Sequence, residues 1–301
     1  MTTVTVGRRT IELSNPDKIL FPDDGMTKGD LVRYYQEVGP VMVPHLRGRP
    51  VMMDRYPNGI DGDSFVQKNV PEYFPDWIHR AELTKENGTV THVVCDEPAT
   101  LVYVASQACV TPHVWLSRVD RADRPDRLVF DLDPSTDDLD VVRDAALLLR
   151  GALEDLGLTP YAQTTGSRGF HVLVPLDRRA RFDDVRLFAR GVAELVAERD
   201  PTRLTTEQRK DKRGDRMYLD TMRNAYGQTS VPPYAVRARS GAPVATPLSW
   251  EELEEGDAKP QSYRTSSVLE RLDRGGDPWA GMSRHAHSLP RAIKELARPG
   301  R

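Results

Sequence analysis

RLVFDLDPS, residues 127–135, decides how the chain folds. Leu128, Val129 and Phe130 form an apolar run that climbs out of a charged loop, as a buried strand does. Asp131 and Asp133 then stand two residues apart, so on a strand both side chains point to one face. The residues that follow supply the topology. Apolar residues at helical spacing predict a helix over about 137–156, DDLDVVRDAALLLRGALEDL, with Gly157 as its stop. A strand near PYAQTT (160–165), a turn at Gly166-Ser167-Arg168-Gly169 and a strand FHVLVPL (170–176) come next. A second helix, DDVRLFARGVAELVAER (183–199), and a strand RMYLDTM (216–222) close the series. The order β-α-β-β-α-β is that of a split βαβ unit. The predicted fold class is therefore α+β: a ferredoxin-like (βαββαβ) palm with an N-terminal α/β subdomain packed on it. In such a unit the first strand lies centrally, between the third and fourth. Asp131, Asp133, His171 on the third strand and Asp220 on the fourth can then converge on one sheet face.

Composition narrows the classes. The 301 residues are 39% hydrophobic and 29% charged, enough for a real core in one large or two ordinary domains. No apolar run reaches the roughly 18 residues of a membrane span, and the N-terminus has no apolar signal core. Cys95 and Cys109 are the only cysteines, without metal spacing, which points to a reducing cytoplasm. A net charge of −3 offers nucleic acid no global attraction, so phosphate binding must rest on local basic patches. RLTTEQRKDKRGDRMYLDTMR (203–223) is one such patch; a solvated charged loop is its other reading.

Outside the palm, VTVGRRTIEL (4–13) reads as a hairpin, and Thr27 with Asp30 as a capping box. The box precedes a helix, LVRYYQEVGPVMVPHL (31–46), that Pro40 is expected to interrupt. Asn87-Gly88 signals a hairpin within 81–96, and EPATLVYVASQACV (97–110) reads as a helix. SRVDRADRPDRL (117–128) reads as a linker. The expected division is 1–120 for the N-terminal α/β part, 121–275 for the palm and 276–301 for a helical tail.

Clustered carboxylates repel, and burying them costs several kcal/mol each unless a cation neutralises them. Oxygen ligands select a hard divalent ion, Mg²⁺ or Mn²⁺. Two such ions can clamp an in-line phosphoryl displacement. Taken singly, one Asp could instead cap the following helix while the other faces solvent. TTGSRGFH (164–171) adds a tight turn whose backbone N–H groups, with Ser167 and Arg168, can cradle phosphate oxygens. His171 alone would read as a core histidine.

With these motifs in hand the chain resembles the archaeo-eukaryotic primase superfamily, and within it the LigD-type polymerase domain of bacterial non-homologous end joining. VFDLDPS, TGSRGFHVLVPL and YLDTMRNAYGQTSVPPYAVRAR carry the likeness, with LSNPDKILFPDDGMTKGDLVRYY, RYPNGIDGDSFVQK and SVPPYAVRARSGAPVATPLSWEEL in the same order, over roughly residues 10–275. The resemblance implies a template-dependent DNA/RNA polymerase that adds nucleotides, preferably ribonucleotides, at primer ends or short gaps in DNA repair. It implies two Mn²⁺ or Mg²⁺ ions, Mn²⁺ the better, on Asp131, Asp133 and Asp220. Thr165, Ser167, Arg168 and His171 match its nucleotide-phosphate motif. Arg213 and Arg237, with Arg239 assisting, match residues that reach the triphosphate, and His113 one near the incoming sugar. Lys18 and Lys28 match lysines that hold a downstream 5′-phosphate; Phe65 matches an aromatic near the template, with Arg55 beside it. The implied partners are gapped or broken DNA, NTP or dNTP, a DNA ligase in trans and Ku, for a monomer in the bacterial cytoplasm near the nucleoid. No KxDG ligase motif is present, hence the expected ligase in trans.

The chain departs from the family pattern in places. Thr165 and Arg168 replace Ser and Lys, Val66 stands where a second aromatic is common, and Gln228 and Arg223 replace Lys and Gln. Two other readings stay open. A HAD-type phosphohydrolase would use Asp131 as nucleophile and Asp133 as acid/base, although it wants Thr or Val where Ser135 stands. A catalytically silent nucleic-acid-binding module is the other, although it has no reason to keep three costly carboxylates.

Overall fold

The computed structural model describes residues 2–85, 88–134 and 138–298, and the chain divides into two compact units. The first comprises Met1–Asp120, Thr229–Thr246 and Tyr263–Asp277; the second comprises Arg121–Gln228, Pro247–Ser262 and Pro278–Arg301. Among the described residues, no helix is long and apolar enough to cross a membrane.

The second unit carries the Asp-x-Asp strand. Its main elements are β1 (Arg127–Asp133), α1 (Leu139–Asp155), β2 (Tyr161–Thr164), β3 (Phe170–Pro175), α2 (Phe182–Arg199), β4 (Leu204–Thr205), β5 (Met217–Asp220) and β6 (Pro247–Leu248). They form a six-stranded sheet in the order β4-β5-β1-β3-β2-β6. β1 runs antiparallel to both its neighbours, β3 and β5, and β2 is antiparallel to β3 and β6. This arrangement has no place for the open parallel sheet of the phosphohydrolase reading. The two-residue strands β4, parallel to β5, and β6 lie at the sheet edges and were not anticipated.

The predicted helices form with small shifts. Asp138 caps α1, its side chain accepting the N–H groups of Asp140 and Val141. The capping role therefore falls to Asp138, which leaves Asp131 and Asp133 for other work. Ser135 lies outside the described residues. Gly157, at φ 74°, supplies the left-handed turn that ends the helix. Val142, Ala145, Ala146, Leu149 and Leu153 of α1 are buried, as are Val185, Phe188, Val192 and Val196 of α2. Each large apolar side chain so buried contributes about 1.5–3 kcal/mol. After α2 the tail holds a helix, Leu289–Leu296, and Trp279, which is buried and donates its indole N–H to Ala162 O at 3.1 Å.

In the first unit, strands Thr229–Ser230, Cys109–Trp115, Pro50–Arg55, Gly88–Val94 and Arg80–Lys85 form a sheet in that order, with Phe65–Gln67 also paired to Pro50–Arg55. The N-terminal hairpin pairs Thr2–Val6 with Arg9–Leu13. The hairpin of Arg80–Lys85 and Gly88–Val94 also forms, although Asn87 lies outside the described residues. The Thr27/Asp30 capping box opens a helix, Lys28–Leu46. That helix runs through Pro40 and Pro44 rather than breaking. Tyr35, Val38, Met42, Val43 and Leu46 are fully buried at helical spacing and outweigh the roughly 3 kcal/mol that each interior proline costs.

The helix read over 97–110 is shorter, Pro98–Ser106. Ala108 at φ 58° turns the chain, and Cys109–Trp115 becomes a strand. Residues 229–246 and 263–275 are expected with the palm and 276–277 with the tail, yet all of them pack with the first unit. Thr229 pairs with Trp115, Tyr34 donates to Tyr234 O at 2.9 Å, and Tyr234 donates to Asp277 at 2.6 Å. Cys95 and Cys109 are buried free thiols.

Candidate active site

One row of side chains crosses the sheet of the second unit. Asp131 on β1 stands opposite His171 on β3 and Asp220 on β5, and His171 stands opposite Gln163 on β2. Opposed residues of antiparallel strands share a face, so Asp220, Asp131, His171 and Gln163 lie in line. Asp133, two residues beyond Asp131, shares that face and stands opposite Tyr218.

Asp131 is the most buried of the three acids, at 8% exposure. Its Oδ1 lies 3.4 Å from His171 Nε2 and its Oδ2 3.3 Å from Arg223 Nε. Burial disfavours its charge, but the charges and hydrogen bonds of His171 and Arg223 prevail and hold its pKa at about 2. His171 Nδ1 in turn lies 3.1 Å from Gln163 Nε2, which fixes the ring. Asp220 behaves differently. Burial raises its pKa and the charge of Asp131 adds to the rise, against a 2.7 Å hydrogen bond from Met222 N–H. Asp133 pairs with Arg168 at 3.4 Å.

These groups line a cavity of about 400 Å³. Asp131, Asp133 and Asp220 face it, and so do Arg168, Lys210, Arg213 and Arg223. A cavity with both signs of charge suits a cation–polyphosphate pair better than either ion alone. The basic segment thus has two parts. Arg203 and Arg209 form surface pairs with Asp144, Asp200 and Asp211, which is the solvated-loop reading. Lys210 and Arg213 turn to the cavity, Arg213 lying over the Tyr218 ring at 4.1 Å and donating from Nε to Glu207 O at 2.7 Å.

The turn between β2 and β3 differs from the expected phosphate cradle. Thr165 Oγ1 accepts the N–H groups of Ser167 and Gly169, each at 3.2 Å, so those two donors are spent inside the turn. Thr165 is a brace. The turn's remaining side-chain donors are the Ser167 hydroxyl and the exposed Arg168 guanidinium, the latter paired with Asp133. Gly169 packs so closely on β1 that a Cβ would stand 1.7 Å from Leu132 O. Gln261 donates to Ser167 O at 2.7 Å and pins the turn from its other side.

The other residues singled out in the sequence belong to the first unit. Lys18 donates to Asn58 Oδ1 at 2.9 Å and Lys28 to Ser14 Oγ at 3.2 Å. Burial lowers the Lys28 pKa, and the nearby Lys18 lowers it further. Among the described residues neither lysine pairs with a carboxylate. Arg55 reaches Gln107 O and Gln67 at 2.8 and 2.6 Å and lies over the Phe65 ring at 5.2 Å. Phe65 and Val66 are exposed beside it. His113 is half-buried on its strand, opposite Met52. Burial raises the Asp54 pKa, and a bond from Tyr56 and the charge of Arg237 oppose the rise. Arg239 is exposed.

Sequence reasoning missed Gln163 and Gln261 as parts of the site, and reached Lys210 and Arg223 only as members of the basic segment 203–223. Arg223 also stands out as a departure from the family pattern, and the Gln residues give no signal without the strand register.

The donor chemistry fits hard divalent cations. Three carboxylates share one face, and the charge of Asp131 helps to raise the Asp220 pKa. Among the described residues, however, no three His, Cys, Asp or Glu side chains are gathered within ligating reach. The oxygens of Asp131 and Asp133 are turned instead to His171, Arg223 and Arg168.

A family model described as the LigD primase-polymerase domain matches residues 27–279. The multifunctional non-homologous end joining protein LigD of Mycolicibacterium smegmatis is 35% identical over 270 residues, 89% of this chain and 35% of the relative. The bifunctional non-homologous end joining protein LigD of Bacillus subtilis is 32% identical over 282 residues, 93% of this chain and 45% of the relative. The chain thus spans less than half the length of these relatives. Among solved structures, the polymerase domain of Mycobacterium tuberculosis ligase D in complex with DNA aligns with a TM-score of 0.86 at 31% identity. That match covers 92% of this chain and 99% of the other.

Proposed function

The chain belongs to the LigD primase-polymerase domain family, and on that premise we propose that it is a template-dependent nucleotidyltransferase acting at primer ends and short gaps in broken DNA. The carrying observation is the row of Asp220, Asp131 and His171 across β5, β1 and β3, in which both acids face a cavity that also holds four basic side chains. The strand order supports a ferredoxin-like palm.

Asp131, Asp133 and Asp220 are the groups that would hold Mn²⁺ or Mg²⁺, two ions in all. Bound there, divalent cations supply Lewis-acid activation of a 3′-hydroxyl and charge neutralisation of a triphosphate. The chain's own residues do the rest. His171, fixed by Gln163, orients Asp131 and keeps it ionised. Arg168, Lys210 and Arg213, which line the cavity, bind the phosphates, and the Ser167 hydroxyl assists. Arg237 and Arg239 of the first unit assist at the triphosphate, and His113 contacts the 2′-hydroxyl of the sugar. Lys18 and Lys28 hold the 5′-phosphate downstream of a gap, and Phe65 with Arg55 meets the template. DNA end joining, with a ligase and Ku as partners in the bacterial cytoplasm, is the setting suggested by the names of the relatives.

Primer extension on a gapped duplex tests this reading. Asp131→Ala or Asp133→Ala should abolish extension while leaving DNA binding largely intact, and full extension by either variant would remove the assignment. The same assay with ATP and dATP opposite template T tests the sugar contact. One net hydrogen bond of about 0.5–1.5 kcal/mol supports a roughly 2- to 12-fold ribonucleotide preference, which His113→Ala should erase. An unchanged ratio would exclude His113 from that role.

A further inference from the structure

Arg223 holds an unusual place in the site. Its Nε lies 3.3 Å from Asp131 Oδ2, while His171 Nε2 faces Oδ1 at 3.4 Å. Both oxygens of the most buried acid of the row therefore already face nitrogen groups of the protein. The backbone that carries Arg223 is fixed. Met222–Asn224 is a single helical turn directly after β5. Asn224, fully buried, donates to Val129 O at 2.7 Å and accepts Val129 N–H at 2.9 Å. Met222 N–H donates to Asp220 Oδ1 at 2.7 Å. The turn is thereby tied to β1 and β5 on both sides of Arg223. The Arg223 side chain, by contrast, is 44% exposed and lines the cavity. Its Cα is held in place while its guanidinium has open space to move into, the geometry of a replaceable counter-ion.

We propose that Arg223 is a resident counter-ion that competes with the divalent cation for Asp131 and so sets the cation concentration at which the site fills. The inference rests on the reading of Asp131, Asp133 and Asp220 as cation ligands. Its physics is direct. A guanidinium at hydrogen-bond distance from Asp131 Oδ2 repels a second cation arriving at the same oxygen, so occupancy requires Arg223 to swing away. In return, the cation-free protein never leaves a buried carboxylate without a partner, which would be costly. Arg223 is a positioning residue in this scheme. It acts on the reaction only through Asp131.

The test is a titration of the intact chain with Mn²⁺ alone, without nucleotide or DNA, followed by calorimetry and by the electron paramagnetic resonance signal of free Mn²⁺. Arg223→Gln, which keeps an N–H donor at about the position of Nε but removes the charge, should bind Mn²⁺ about 2- to 10-fold more tightly, the range spanned by part-exposed charge pairs and charged hydrogen bonds. Arg223→Lys, which keeps the charge, should stay within about twofold of wild type by the same account. The rise in Tm on adding saturating Mn²⁺ should be larger for Arg223→Gln than for wild type, because the cation replaces a partner that this variant lacks. Unchanged or weaker Mn²⁺ binding by Arg223→Gln overturns the proposal. Asp131→Asn separates the two readings. If it abolishes Mn²⁺ binding while Arg223→Gln leaves it unmoved, the ligand assignment stands and the competition falls. If Asp131→Asn binds Mn²⁺ as wild type does, the ligand assignment falls and takes the competition with it.

Discussion

Gly169 shows how tightly single residues are constrained around the site. A Cβ at this position would meet Leu132 O at 1.7 Å and Asp133 Cα at 3.3 Å, and both are backbone atoms that cannot rotate aside. Gly169→Ala must therefore push β3 away from the Asp-bearing end of β1. The expected loss of stability is about 2–4 kcal/mol, at or above the upper end of ordinary overpacking. Urea unfolding measures it, and a loss below about 0.5 kcal/mol would mean that the turn adapts with ease. The sequence marked Gly169 only as a turn glycine. The left-handed turn residue is in fact Gly166, at φ 61°, and Gly169 is needed for close approach. The same divide runs through the site. Asp131, Asp133, His171 and Asp220 were legible because period-two alternation and strand order place them together. Gln163, Arg223 and Gln261 were not, because each acts on a partner in another element and register is invisible in one dimension. Thr165 was legible as a site residue but not in its role, since its hydroxyl serves the turn's own N–H groups.

At the level of elements, the short turn after β5 does more than its length suggests. Asn224 exchanges two hydrogen bonds with the backbone of Val129 in the middle of β1, and its amide also donates to Thr221 O at 2.9 Å. The side chain acts as one extra rung between β1 and the chain leaving β5. Asn224→Ala leaves a buried N–H and a buried C=O of Val129 without these partners, each at about 1–3 kcal/mol. A loss of roughly 2–4 kcal/mol is expected, together with a fall in primer extension, because both Asp220 and Arg223 lose their anchor. Thermal unfolding beside the extension assay checks both. Wild-type stability with reduced extension would show that the rung serves the site and not the fold. Helices α1 and α2 were legible from apolar spacing and from the stop at Gly157. The edge strands β4 and β6 were not, since two residues carry no period. The end of the helix at Ser106 was missed for a related reason: its turn uses Ala108 at φ 58° and no glycine announces it.

For the whole molecule, charge decides where nucleic acid can bind. A net charge of −3 gives no general pull on DNA, so Lys18 and Lys28, which pair with no carboxylate among the described residues, count for more than their number. Lys28 N–H donates to Lys18 O at 2.8 Å and Gly29 N–H to Pro16 O at 2.8 Å, which seats both side chains at one helix start. A gap with a downstream 5′-phosphate should bind roughly tenfold more tightly than one ending in a hydroxyl, as charged hydrogen bonds allow. The double variant Lys18→Ala/Lys28→Ala should lose that preference and flatten the salt dependence of binding by about one to two in log–log slope. Equal binding of the two gaps by the wild type would remove the 5′-phosphate role. The order of the chain carries a last consequence. β1 brings Asp131 and Asp133 into being early, but Asp220 arrives only with β5, and the first unit is completed by residues up to Asp277. During synthesis each unit must wait for segments made after the other has begun. A chain cut before Met217 would still contain the Asp-x-Asp strand and the turn that follows β2, yet it would have no row across the sheet. A chain that ends before Met217 should therefore be inert in the primer-extension assay.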